Sequence, residues 1–203
     1  MNTPLAERMR PKSITDYFGQ EHLLGPKGSL TQMIANGVFP SLIFWGPPGT
    51  GKTTLAQLLA LEKDRPFYQL SAINAGVKEV REIIHKAEHS GGLFSGKNPI
   101  LFIDEIHRFS KSQQDSLLNA VEKGIITLIG ATTENPSFEV INALLSRCQV
   151  YTLNALEKVD LEKILQKAIT KDAQLKEKQI KIRESEALIE LAGGDARKLL
   201  SLL

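Results

Sequence analysis

Short, uninterrupted apolar runs recur along the chain and are separated by segments whose apolar residues fall at helical spacing. Leu42-Ile43-Phe44-Trp45, Ile100-Leu101-Phe102-Ile103 and residues 125–129 read as buried strands, and residues 66–70 and 148–153 as two more. Leu30, Met33 and Ile34 mark a helix over 29–36 that Gly37 stops, and Val77, Val80, Ile83, Ile84 and Ala87 mark another over 77–89. A third helix is expected over 110–123, with Ser110 as its cap and Gly124 as its end, and a fourth over 137–146. Strands that alternate with helices predict an α/β fold with a parallel sheet. Up to residue 28 the chain mixes charge, proline and scattered apolar side chains, which predicts an irregular wrap. Residues 91–96, rich in glycine, read as a loop or tight hairpin.

After Asn154 the strand pattern ends. Val159, Leu161, Ile164, Leu165 and Ala168, then Leu188, Ile189 and Leu191, keep only helical periodicity. Two units follow: an α/β core over 1–154 and a small helical unit over 155–203. Lys176, Lys178, Glu177 and Glu184 fall in a mixed-charge stretch that reads as a solvated face. Residues 196–203 form a helical run without a C-cap, so the helical unit is expected to be incomplete.

Composition narrows the class without naming a partner. At 203 residues with 42% hydrophobic and 24% charged residues, the chain can bury a real core, and disordered and collagen-like classes are excluded. A net charge of +2 neither announces a nucleic-acid partner nor excludes a local basic patch. Cys148 is the single cysteine and cannot form an internal disulfide, which fits a reducing compartment. The start of the chain lacks the apolar core of a signal peptide, and no apolar run is long enough to span a bilayer, so a cytoplasmic location is expected and no membrane partner.

The chemistry concentrates at residues 46–53, GPPGTGKT, between the strand that ends at Trp45 and the apolar helical run that begins near Leu55. The pattern GxxxxGK[ST] is complete, and its context of strand, loop and helix is the one a phosphate-binding loop needs. Gly46, Gly49 and Gly51, with Pro47, Pro48 and Thr50 between them, let backbone N–H groups approach phosphate oxygens. The helix N-terminus adds its partial positive charge. Lys52 can reach the β- and γ-phosphates, Thr53 can place its hydroxyl on Mg²⁺, and Thr54 follows at the helix start. Asp104-Glu105, at the end of an apolar strand, supply a partner for the loop: Asp104 to hold Mg²⁺ and Glu105 as general base toward an attacking water. No NKxD stretch for reading guanine is present, so ATP is the expected nucleotide.

Weaker features lie outside this set. His85 to His89 matches HxxEH, a zinc-peptidase pattern, but both histidines lie off the apolar stripe of their helix and an exposed face is the preferred reading. His107 invites an acid/base role but reads as a helix-start side chain, and His22 has no readable partner. Residues 90–98, with Phe94 and Lys97 among flexible glycines, could stack on a base and meet a phosphate of DNA, or form an ordinary surface hairpin.

GPPGTGKTT, ILFIDEIHRF, LIGATTENPSF, LLSRC and GGDARKLL follow the order and approximate spacing of Walker A, Walker B, sensor 1, arginine-finger box and sensor 2 of the AAA+ ATPases. The chain resembles the clamp-loader clade, and within it the replication-associated recombination protein A family, on RPKSITDYFGQEHLLG and ENPSFEVINALLSRC. That resemblance implies a P-loop fold with a five-stranded parallel sheet of order 5-1-4-3-2 and a C-terminal helical lid. It implies that Thr133, or Thr132 one position away, is sensor 1 near the γ-phosphate. Arg147 matches the finger that acts on a neighbouring subunit, Arg197 matches sensor 2, and Met9, Arg10, Pro11, Tyr17 and Phe18 match the adenine pocket. The resemblance implies a DNA-associated ATPase at stalled or damaged forks, homo-oligomeric in the full-length protein, with replication proteins as possible partners and a nucleoid association. A clamp-loader subunit or a branch-migration motor shares DEIH-like and GATT-like boxes, but ENPSF favours the first. A nucleotide-gated scaffold with incidental hydrolysis is the reading of another class, and the complete set of Lys52, Thr53, Asp104, Glu105 and Arg147 argues against it.

Overall fold

The structure, a computed structural model, describes residues 3–37, 39–89, 98–178, 180, 182 and 184–203. The glycine-rich loop or hairpin expected over 91–96, and with it Phe94 and Lys97, lies outside the described residues. Five strands, β1 (Ser41–Trp45), β2 (Phe67–Ser71), β3 (Ile100–Asp104), β4 (Thr127–Thr132) and β5 (Cys148–Thr152), form one parallel sheet in the order β2-β3-β4-β1-β5. Read from the other edge this is the expected 5-1-4-3-2. Because β1 lies beside β4, and β4 beside β3, the carboxyl ends of these three strands open onto a common crevice, where ligands bind in sheets of this kind.

The apolar runs are continuous because helices cover both faces of the sheet. Leu42 and Phe44 of β1 share one face with Phe102, Ile129, Leu55 and Leu59, whereas Ile43 points to the other, with Leu101, Ile103, Val80 and Leu117. Phe44 and Phe102 have no exposed surface, and each contributes about 1.5–3 kcal/mol by burial.

Several local signals act as expected. The helix Val77–His89 has the predicted bounds, and Ser110 caps Lys111–Glu122 in a reciprocal box with Gln113. Residues 125–129 are shifted: the amides of Ile125 and Ile126 bond back to Ala120 O, and β4 starts only at Thr127. The helix expected over 137–146 is two single turns, Pro136–Glu139 and Asn142–Leu145. Buried Gln114 enables the break, because its side chain donates to Glu139 O at 3.0 Å and accepts from Ile141 N at 2.9 Å. The backbone groups freed by the interruption are thus satisfied.

The first segment contains one turn of helix at Leu5–Arg8, a 3-10 turn at Ile14–Asp16 and another helical turn at Glu21–Leu24. After β5 the described elements are all helical: Lys158–Lys171, Ala173–Glu177, Glu186–Ala192 and Ala196–Ser201. They enclose one small core around Leu161, Leu165, Ile189 and Leu199. A second joins Ala168, Leu175 and Leu200 to Leu5, Ala6 and Met9, so the first turn of the chain packs with the last helices. Charge reinforces that packing. Arg8 forks onto Asp172 at 2.7 and 2.9 Å, and Lys167 reaches Asp16 at 2.8 Å. Among the described residues no helix is long and apolar enough to cross a membrane.

Candidate active site

The loop after β1 is held from several sides. Gly46 N donates to Thr132 O at 3.1 Å, which ties the start of the loop to the end of β4. Gly51 adopts φ 93°, and a Cβ there would fall 2.5 Å from Tyr17 Oη. Tyr17 uses that hydroxyl to donate to Thr50 O at 2.8 Å. Burial pushes its pKa far up, so it stays a neutral donor. Gly49, at φ 70°, is approached by the Asp195 carboxylate so closely that an added Cβ would lie 1.8 Å from Asp195 Oδ1. Ala196 N also donates to Gly49 O at 3.2 Å. The terminal helix Ala196–Ser201 therefore sits directly on the loop.

Lys52 opens the helix Lys52–Glu62, and its ammonium donates to Gly46 O and Pro47 O, both at 2.8 Å. Burial pushes its pKa down, while the carboxylates of Glu105 and Asp104 push it back up. The backbone loop thus holds the lysine head group beside the acidic ends of β3. One cleft brings together Pro48, Lys52, Thr53, Thr54, Asp104, Glu105 and Arg197. Arg197 is exposed, and among the described residues its side chain makes no hydrogen bond or ion pair.

A second cavity, of about 150 Å³, adjoins the first and shares Arg10, Gly49, Gly51, Thr54 and Arg197 with it. Met9, Arg10, Pro11, Tyr17 and Phe18 all line it. Its far wall is Leu156, Ile164, Lys167 and Ala196 from the helical part. Arg10 bridges outward from this wall, donating to Thr54 Oγ1 at 2.9 Å and pairing with Glu7.

Past Asp104 the chain turns sharply. Glu105 takes a left-handed conformation, φ 55° and ψ 47°, and starts a 3-10 turn at Ile106–Arg108. Thr133 donates to Glu105 Oε2 at 3.3 Å. Thr132 is fully buried and spends its hydroxyl on the turn, donating to Glu134 O at 3.2 Å and accepting from Glu134 N at 3.0 Å. Of the two threonines, only Thr133 faces the carboxylate.

Arg147 lies apart from the other predicted site residues. It precedes β5 at the amino end of the sheet, whereas the loop follows β1 at the carboxyl end, and β1 and β5 pair in parallel from Ser41 and Cys148 onward. Roughly 16 Å of strand separates the two ends. Arg147 pairs with Glu122 and donates to Ala143 O and to Ser146 Oγ, the last at 3.2 Å.

The remaining features carry no site. His89 Nδ1 lies 2.8 Å from His85 O, both rings are exposed, and no group of three or more metal-ligating side chains occurs among the described residues. His22 Nε2 sits 2.9 Å from Thr152 O at the end of β5. Cys148 is half-buried and its pKa is pushed up to about 12 by burial, so the thiol is unreactive near neutral pH. Sequence reasoning missed Asp195 and the Asp16–Lys167 pair as neighbours of the site, and it preferred a helix-start reading for His107, whose Nδ1 lies 3.3 Å from Glu105 Oε2. Asp195 stands two residues before Arg197 and caps its helix, accepting from Lys198 N at 2.9 Å, and this capping pattern was the available signal.

Residues 42–156 match the ATPase family associated with various cellular activities (AAA). Over 98% of its length the chain is 48% identical to replication-associated recombination protein A of Coxiella burnetii and 46% identical to ATPase WRNIP1 of Dictyostelium discoideum. It spans 45% and 23% of those two proteins, respectively. Among solved structures, the Thermotoga maritima RuvB Holliday junction branch migration motor is 28% identical with a TM-score of 0.74, covering 96% of this chain and 63% of that one. With the loop, the acidic strand end and the sheet order in one arrangement, and a family match over more than half its length, this chain belongs to the AAA family of ATPases.

Proposed function

We propose that this chain is the ATP-binding and ATP-hydrolysing module of a DNA-associated, oligomeric ATPase that serves replication-fork maintenance, recombination and repair. The observation that carries the hydrolytic part is the convergence of Lys52, Thr53, Asp104, Glu105 and Arg197 on one cleft. Residues 1–154 form the nucleotide-binding core and residues 155–203 the lid. The backbone of residues 46–51 and the Lys52 ammonium bind the phosphates, and Thr54 stands at the mouth of the base cavity. Met9, Arg10, Pro11, Tyr17 and Phe18 form the adenine side of that cavity, which adjoins the loop.

Glu105 accepts a proton from the attacking water, Thr133 holds the same region, and Arg197 approaches the γ-phosphate from the lid. The Thr53 hydroxyl and the Asp104 carboxylate are hard oxygen donors lining one cleft, which suits Mg²⁺. That ion would supply charge neutralisation on the phosphate oxygens. The two carbonyls that accept from Lys52 belong to the loop itself, so the ammonium stands where the phosphates bind.

Arg147 acts as a finger on a second subunit, as the resemblance implies, and its place a strand's length from its own cleft supports that reading. In the same reading the full-length protein is a homo-oligomer. DNA, and possible contacts with replication proteins, are carried over from the replication and recombination relatives; a cytoplasmic, nucleoid-associated location fits them. The likeness to a branch migration motor favours a second reading, in which hydrolysis drives movement on DNA junctions.

The test is ATP turnover and oligomeric mass of the full chain, with and without DNA and across a Mg²⁺ titration, for wild type, Lys52→Ala and Glu105→Gln. Glu105→Gln should keep nucleotide affinity and lower turnover by about 10²- to 10⁴-fold. Lys52→Ala should lose affinity. Unchanged turnover in Glu105→Gln removes Glu105 as the base, and absence of DNA stimulation removes the DNA-associated reading.

A further inference from the structure

We propose that His107 is a positioning residue for Glu105, orienting the base and linking it to the end of β4. The inference rests on Glu105 being the base, as argued above. The left-handed turn at Glu105 and the 3-10 turn that follows, closed by Arg108 N onto Glu105 O at 2.8 Å, fold the His107 ring back over the carboxylate. The ring side chain is 8% exposed and that of Glu105 28%, so the contact is shielded on one side and open to the cleft on the other. His107 Nδ1 lies 3.0 Å from Thr132 Oγ1 and 3.3 Å from Glu105 Oε2.

The roles of these groups follow from proton accounting. The single Thr132 hydroxyl proton goes to Glu134 O, so Thr132 Oγ1 can only accept from the ring. That puts the ring proton on Nδ1. The N–H then stands between two oxygens, and a small rotation of the ring moves it from Thr132 to Glu105. Thr133 donates to the same Glu105 Oε2 at 3.3 Å. Thr133 from the end of β4 thus donates to Oε2, the His107 N–H from the end of β3 stands 3.3 Å from the same oxygen, and Oε1 is left to take the proton of water. Placing a base is worth a large factor in rate even when substrate binding is unchanged, since a misplacement of ~1 Å can cost about 100-fold.

The experiment compares His107→Asn, His107→Gln and His107→Phe in the full chain, with Glu105→Gln alone and combined with His107→Phe, reading kcat, KM, ATP affinity and Tm. Asn places an N–H where Nδ1–H stands; Gln places it where Nε2 stands. The expected result is a kcat lowered by roughly 10- to 100-fold in His107→Phe and His107→Gln, with KM and ATP affinity unchanged and most of the rate restored in His107→Asn. His107→Phe should cost nothing further on a Glu105→Gln background, because the group it positions is gone. The proposal is overturned if Glu105→Gln is inactive while His107→Phe turns over like wild type, or if the two losses multiply. Should His107→Phe fail to fold, equal kcat in His107→Asn and His107→Gln overturns it instead. A Glu105→Gln variant as active as wild type would sink the base assignment itself, a different failure.

Discussion

The backbone amide of Ala196 donates to the carbonyl oxygen of Gly49 at 3.2 Å, so the first residue of the last helix rests on the phosphate loop. Beside this bond the Asp195 carboxylate fills the space where a Gly49 side chain would lie. Gly49→Ala is therefore expected to displace the helix as well as strain φ 70°, costing about 1–3 kcal/mol in stability and weakening nucleotide binding. Combining it with Asp195→Ala should return the steric part only. A double-mutant cycle on Tm and nucleotide affinity checks this; strictly additive losses would mean that the two residues do not meet.

Thr132 and Thr133 are neighbours in sequence with separate duties. Thr132→Ala removes a buried hydroxyl bonded to both backbone groups of Glu134 and should cost about 1–3 kcal/mol in stability. Thr133→Ala should leave Tm nearly unchanged and lower turnover by about 10²- to 10³-fold, as loss of a donor at the reacting centre does. Denaturation and turnover of both variants decide between them. The reverse pattern would move sensor 1 to Thr132.

Asp172 joins the last helices to the first turn of the chain. The Arg8 guanidinium beside it holds its carboxyl below the ordinary 3.8. A carboxyl depressed by folding contributes stability that is complete above its ordinary value and is lost as pH falls through the lowered one. The Tm difference between wild type and Arg8→Ala should thus be constant above about pH 4 and close below it. A gap that persists at pH 3 would show that packing, and not charge, accounts for the effect of Arg8.

Arg147 should be dispensable for binding and needed for turnover. Arg147→Ala is expected to keep ATP affinity and to lose about 10³- to 10⁵-fold in rate. Mixing it with Glu105→Gln should restore part of the activity, because a mixed pair can assemble one site from an intact base and an intact finger. No recovery across all mixing ratios would place the arginine's action within one subunit.

The sheet and the loop were legible because their signals are local. Apolar runs of four or five residues with both faces buried specify β1 and β3, and GPPGTGKT encodes its own turn. The resemblance supplied the strand order, which no periodicity contains. What escaped was set by partners that hydrophobic periodicity does not reveal. Ile125 and Ile126 look like strand but bond to Ala120 O, and the break at Val140-Ile141 exists because Gln114, from another helix, meets the freed backbone. His107 read as a helix-start side chain because its neighbour Thr132 lies on a different strand. Arg147 matched a motif in the sequence, but only the parallel pairing of β1 and β5 places it at the far end of the sheet from the loop.

The ties between the first turn and the last helices also bear on how the chain is made. Arg8 and Asp172 are 164 positions apart, and Asp16 and Lys167 are 151 apart. At 5–20 residues per second, synthesis would leave the first turn waiting roughly 8 to 30 s for its partners. The sheet can form earlier, since β5 ends at Thr152. The wall of the second cavity thus closes after the sheet, and contacts of such long sequence separation are slow to form. A ribosome-bound intermediate lacking the last helices would present a formed phosphate loop with Leu5, Ala6 and Met9 still uncovered.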